Sequence, residues 1–307
     1  MSRIAEALDP TRLPAFRLVE IDFEAEQIAL LAGVKARFEA NGVPFNVEAL
    51  ETDPVISLTQ EFSFRKMLTL QQIEDAGKRL VIVTSHGAAL DHLAATHYAD
   101  LGLARLALVE DPRPFASHPD DWETDDRFKR RILLAPDART PGTLGGYEFW
   151  ALTAAPHLVD ARALNHASGL VSPGQILVAL LGGENEAEQV DLARTFLLRR
   201  DVKLGSDTVS VRAATRISTR VIADLSIPPG PSPNLVKAEV IKRHDAYAAD
   251  RRRIGRTVLL SKLNAVLVTD SVAAVTVSAP SAAIDPGPDG VVEFEAPILT
   301  VTVPGHG

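Results

Sequence analysis

The chain has 307 residues, 46% of them apolar and 23% charged, with a mean hydropathy of +0.06; this balance supports folded domains and excludes wholesale disorder. With 32 basic against 40 acidic side chains the formal charge is −8, which excludes the basic footprint of a nucleic-acid or anionic-membrane binder. There is no cysteine, so disulfides, thiolate nucleophiles, zinc ribbons and iron–sulfur clusters are excluded as well.

Residues 1–21 carry Pro10 and Pro14 and lack the apolar core of a secretory signal. No stretch reaches the ~20 apolar residues of a membrane span, so a soluble chain folded in a reducing cytosol is expected. A helix is predicted over 23–40. Asp22 is placed to cap its free amides, Gly42 stands just past its end, and Ile28, Leu31, Val34 and Phe38 form an apolar stripe. A loop with Pro44 and Pro54 leads to a long helix over about 58–84, on which Leu58, Phe62, Ile73, Ala76 and Leu80 share a face. A second helix over about 89–99 carries Leu90, Leu93, Ala94 and His97 on one side. The acidic, proline-bearing run 110–126 reads as a solvated linker or domain boundary.

Beyond it the pattern turns mixed. Helices are predicted over 128–134 and from Gly146, strands over 158–164 and 175–181, a helix over 186–198 and a strand over 208–213. Residues 216–227 alternate strictly, Ile217, Thr219, Val221, Ala223 and Leu225 against Arg216, Ser218, Arg220, Ile222 and Asp224, which is the signature of a half-exposed strand. A helix over 235–252, a short one over 258–266 and a strand over 274–278 complete a second unit. The tail 291–303 is strand-like but holds Pro297, so it is expected to be an edge strand or an arm that augments another sheet. The expected fold is therefore α+β and multi-domain. It comprises an arm and bundle helix (1–55), a helical domain with linker (56–122), two small α/β sandwiches (123–215 and 216–282) each with one sheet covered on one face, and a C-terminal strand-like arm (283–307).

No constellation of catalytic residues stands out. His86, His92 and His97 lack the zinc spacing, and on a helix His92 and His97 point about 140° apart; His97 continues an apolar stripe and reads as a packed core histidine. Gly142, Gly145 and Gly146 lack the Lys-Ser/Thr of a phosphate loop, leaving a glycine turn into a helix. The acidic run has no glycine for a calcium loop. Arg251, Arg252 and Arg253 end a helix, where cations suit the dipole, or pair with an acidic neighbouring subunit. No catalytic residue, cofactor or metal is expected.

The run FSFRKMLTLQQIEDAGKRLVIVTSHGAALDHLAA followed by LGLARL resembles the baseplate assembly protein J family of contractile-tailed phages. The match is carried by Phe64, Arg65, Ile73, Asp75, Ala76, Gly87, Leu90, Asp91, Leu93, Ala94, Gly102 and Arg105, with LPAFRLVEIDFE and ETDPVI upstream and FKRRILLAP and residues 254–280 downstream. Glu74 stands where asparagine is more usual, and the tail after Pro280 has no family pattern. The resemblance implies a structural wedge subunit, not an enzyme, located in the virion tail and assembled in the host cytoplasm. Two copies would combine with one tail protein I-like partner and meet the inner, sheath-initiating wedge protein and central hub proteins, without direct contact to nucleic acid or membrane. Ile28, Leu31, Val34 and Phe38 would be the bundle face, Arg251–Arg253 a further contact, and 216–280 the dimerisation module of a ring that widens on contraction. The wedge of a non-phage contractile injection system fits the same residues. The alternative of another class, a cytosolic α+β small-molecule enzyme, would require a concave site with convergent polar groups.

Overall fold

A computed structural model describes residues 16–45, 53–183 and 185–303; the expectations for 1–15 and 304–307 lie outside it. The chain divides into two compact units, one within Leu8–Ala104 and one over Arg105–Gly307.

The first unit is helical. Helix α1 (Phe23–Ala40) starts as its sequence dictates, with the Asp22 carboxylate accepting from the amides of Glu24 (2.9 Å) and Ala25 (3.1 Å), and Gly42 follows its end at φ +70°. Helix α2 (Pro54–Arg79) begins earlier than expected, because Pro54 sits at its first turn behind the Asp53 cap. The two helices meet along a polar seam: Gln27 donates to Thr59 Oγ1 (3.1 Å) and accepts from Ser63 Oγ (2.8 Å). Further along α2, Gly77 and Glu74 receive the 16–19 segment. A Cβ at Gly77 would lie 1.9 Å from Leu18 Cδ1, and the Glu74 carboxylate accepts from the amides of Leu18 (2.7 Å) and Val19 (3.2 Å). Those amides are the main reason the Glu74 carboxyl titrates below its ordinary range. Helix α3 (Gly87–His97) buries Leu90 and Ala94. His97, expected in the core, is exposed instead: it is the last helical residue, and its ring turns edge-on to Tyr98.

The second unit holds two three-stranded sheets, as the α+β reading requires. Helices α4 (Asp125–Ala138) and α5 (Leu144–Ala154) pack together at a glycine pair, where a Cβ on Gly145 would fall 2.0 Å from Asp137 Oδ2 and one on Gly146 would fall 2.6 Å from Thr143 Oγ1. In the first sheet β1 (Leu158–Leu164) pairs antiparallel with β2 (Gln175–Gly182), and β2 pairs parallel with β3 (Thr208–Ala213) across helix α6 (Glu186–Leu197). In the second, β4 (Thr215–Ser226) is central, antiparallel to β5 (Ala274–Ala279) and parallel to β6 (Gly290–Thr302). Helices α7 (Pro233–Arg251) and α8 (Leu260–Leu267) supply Val236, Val240, Leu263 and Leu267 to a core with Val221, Ala223 and Leu225.

The structure corrects two expectations. The acidic run is solvated only in part, being folded back on the 106–108 segment. Leu108 N donates to Asp121 O (2.8 Å) and Glu123 N to Leu106 O (2.9 Å), while Asp121 and Glu123 are buried; hydropathy misses this because the burial is satisfied by arginines. The first sheet is not covered on one face only, since every residue of β2 from Ile176 to Gly182 is buried. Ile254 and Val291 from the second module pack on Ala179 and Leu181, closing the other side. Of the two readings of the tail, the edge strand holds: it is the edge strand of the second sheet, and Pro297 falls where the register with β4 slips, between Arg220 and Ile222.

Candidate assembly surfaces

In the helical unit, the residues read from sequence as a bundle face separate. Leu31, Val34 and Phe38 are half-buried, with Phe38 against Phe45 at 5.3 Å between ring centroids. Ile28 points away and is 69% exposed. No residue of α1 is fully buried. On α2 the buried positions are Ile56, Thr59, Ser63, Glu74 and Gly77, while the apolar face picked out by periodicity, Leu58, Phe62, Ile73 and Leu80, lies open. Phe64 and Leu68, one turn apart, add a second exposed apolar pair. Small and polar side chains make the internal seam and large apolar ones face outward, the reverse of a helix buried in its own unit.

In the α/β unit the outer face of the second sheet is open and polar. Arg216 and Arg220 on β4 pair with Glu293 and Glu295 on β6, and Ile222 and Ile298 stand side by side, 40% and 48% exposed. The three arginines at the end of α7 divide. Arg251 folds inward, pairing with Asp250 at 2.6 Å and stacking over Tyr247 at 5.4 Å. Arg252 reaches Glu293 through Nε (3.2 Å). Arg253 is half-buried and, among the described residues, its guanidinium meets no carboxylate.

Sequence reasoning overlooked a buried ionic cluster. Glu123 accepts from Arg127 and Arg131 and from the Leu106 amide (2.9 Å). Burial drives the Arg127 and Arg131 pKa values below the ordinary guanidinium value, an effect Glu123 opposes. Arg105 closes the cluster, donating to Glu123 O (2.8 Å) and Asp125 (2.7 Å) with its guanidinium 4.1 Å above the Phe115 ring. A spacing of four and then eight residues from Glu123 to Arg127 and Arg131 was the available signal.

The loop 108–121 is pinned by a second clamp, Arg113 to Asp121 (Nε–Oδ2 2.8 Å, Nη2–Oδ1 2.9 Å), with Trp122 Nε1 donating to Arg113 O (2.7 Å). The Arg113 guanidinium and amide hold the Asp121 carboxyl well below the usual carboxylate range. A depressed folded-state pKa stabilises above the unfolded value of about 3.9 and loses that contribution as pH falls through the folded one. Protection of the 113–122 amides, measured against their unfolded exchange rate at each pH, is therefore expected to hold down to about pH 4 and to fall below it. In Asp121→Asn it should already be low at neutral pH; equal protection in the variant would refute the clamp.

The Baseplate J-like N-terminal domain matches residues 51–111, which include α2, α3 and Arg105. Over 287 residues the chain is 26% identical to Baseplate protein J of Escherichia phage P2, an alignment spanning 90% of this chain and 92% of that protein.

Proposed function

We propose that this chain, related to baseplate J proteins along nearly its whole length, is a structural protein of a phage tail baseplate. The near-complete alignment with a protein named for that structure carries the proposal. The exposed apolar residues of α2, Leu58, Phe62, Phe64, Leu68, Ile73 and Leu80, support it, because isolated domains seldom leave so many large side chains in water on one helix.

In this reading the chain is a wedge subunit. Two copies combine with one tail protein I-like partner, α1 and α2 joining a shared helical bundle through Ile28, Leu31, Val34 and Phe38 and the exposed face of α2. The 216–280 module, with the open face of its second sheet, contacts the next wedge, and heterologous contacts repeated by rotation close a ring around the hub. The ring widens when the sheath contracts. The two α/β modules move as one body, because Ile254 N donates to Asp160 (2.8 Å), Arg162 donates to Ile254 O (3.0 Å) and Arg212 pairs with Asp289 (2.6 Å) across their junction.

Co-expression with the neighbouring tail protein I, followed by native mass measurement, is expected to give a complex of two copies with one partner. Phe62→Glu combined with Leu68→Glu should abolish it while the secondary structure by circular dichroism is kept. A wild-type chain that purifies as a monomer beside its partner would end the reading.

A further inference from the structure

Between the two α/β modules runs a cleft of about 410 Å³, bounded on one side by α4 and the start of β1 and on the other by the end of α7. Four arginines, Arg127, Arg130, Arg252 and Arg253, line it with two acids, Glu123 and Asp126. The donors are unevenly engaged. Arg127 is consumed as a strut, donating to Leu158 O (2.8 Å), Leu152 O (2.5 Å), Ala155 O (3.0 Å) and Glu123. Arg130 holds the buried Asp160 and Ala161 O (2.8 Å). Glu123 is fully buried and answers Arg127 and Arg131 behind the wall, so Asp126 is the lining carboxylate that water reaches.

Arg252, by contrast, engages Glu293 through Nε alone among the described residues, and Arg253 meets no acceptor there. Two neighbouring guanidiniums thus line one side of a cleft whose wall also holds Thr124, Pro156 and His157 and the apolar side chains of Leu108, Val159 and Ala249. Planar guanidiniums match carboxylates in pairs of hydrogen bonds, and the apolar wall suits a side chain rather than a hydrated ion. A nucleic acid is disfavoured by the formal charge of −8 and by a lining without aromatic rings other than His157.

We propose that this cleft docks an acidic segment of a neighbouring protein in the assembly, its carboxylates on Arg252 and Arg253 and its apolar side chains against Leu108, Val159 and Ala249. The proposal rests on the assembly reading above and names the chemistry of one partner contact. The test titrates the full chain with a labelled acetyl-Glu-Leu-Glu-Glu-Leu-Glu-amide peptide, its Gln-for-Glu counterpart, and inorganic phosphate. The acidic peptide should bind, and binding should weaken at least tenfold in Arg252→Gln/Arg253→Gln and at least tenfold for the Gln peptide. Arg253→Lys should recover part of the loss, and added salt should weaken binding throughout. An unchanged melting temperature in Arg253→Gln keeps the result free of misfolding. Equal binding by the double variant or by the Gln peptide would overturn the proposal, as would phosphate binding without peptide binding. A double variant that still forms the two-to-one complex but no longer binds the peptide separates this cleft from the helical interface, while peptide binding by a chain that never assembles would retain the cleft and lose the wedge.

Discussion

Glu123→Gln is expected to destabilise the α/β unit by about 3–5 kcal/mol, the range for removing one partner of a buried ion pair. The side chain is enclosed, with Arg127 10% and Arg131 2% exposed around it. Glutamine keeps the shape and can still accept from the Leu106 amide, but it leaves two buried cations facing a neutral group. Arg127 would retain its three carbonyl acceptors, and Arg131 would keep Thr153 Oγ1 at 3.3 Å and the faces of Phe128 and Phe149 near 5.9 and 5.8 Å. Because Glu123 also anchors the 105–108 segment through Leu106, the loss would spread to the loop that Arg113 closes. A shift in the urea midpoint measures it, and a fall of that size is a large part of the ~5–15 kcal/mol that holds an average domain folded. Glu123→Gln combined with Arg131→Met removes one of the stranded charges and should recover part of the loss. A single variant within about 1 kcal/mol of the parent would show the cluster to be solvated.

The same cluster explains why part of this fold was legible in the sequence and part was not. Elements set by local chemistry were readable: the Asp22 cap and Gly42 end of α1, the strict alternation of β4, and the glycine turn into α5. What failed depends on partners distant in sequence. The run 110–126 looks solvated by composition, yet Glu123 is buried because Arg127 and Arg131 project from the next helix. Periodicity on α2 located a real apolar face but could not say that the opposite side, with Thr59, Ser63 and Gly77, was the one its own unit covers. Small side chains permit the closer approach, so the large ones remain outside. The arginines after α7 formed one motif in sequence, whereas in space Arg251 packs inward and Arg252 and Arg253 reach the cleft. The family pattern stops at Pro280, and the role of residues 281–303 emerges only from the pairing of β6 with a strand some 75 residues earlier.

That pairing carries the last large effect. A chain ended at Asp289 loses β6, and with it Val291, Val292 and Leu299, all buried, as well as the neighbour that satisfies β4 along nearly its whole length. Burial of each such side chain contributes about 1.5–3 kcal/mol, so the sum approaches the entire stability of a domain. Glu293 and Glu295, which pair with Arg216, Arg252 and Arg220, go too, and the wall over Ala179 and Leu181 opens with Val291. The truncated chain is expected to lose cooperative unfolding of the α/β unit and to be cut rapidly by protease between 215 and 289. Leu299→Ala tests the same core without exposing a strand edge and should destabilise by about 2–5 kcal/mol, whereas Ile298→Thr, next to it on the open face, should change stability by less than about 0.5 kcal/mol. If the truncated chain unfolded cooperatively at the parent's urea midpoint, β6 would be a dispensable addition. The second sheet would then be complete with β4 and β5 alone, a two-stranded ribbon that rarely holds a core.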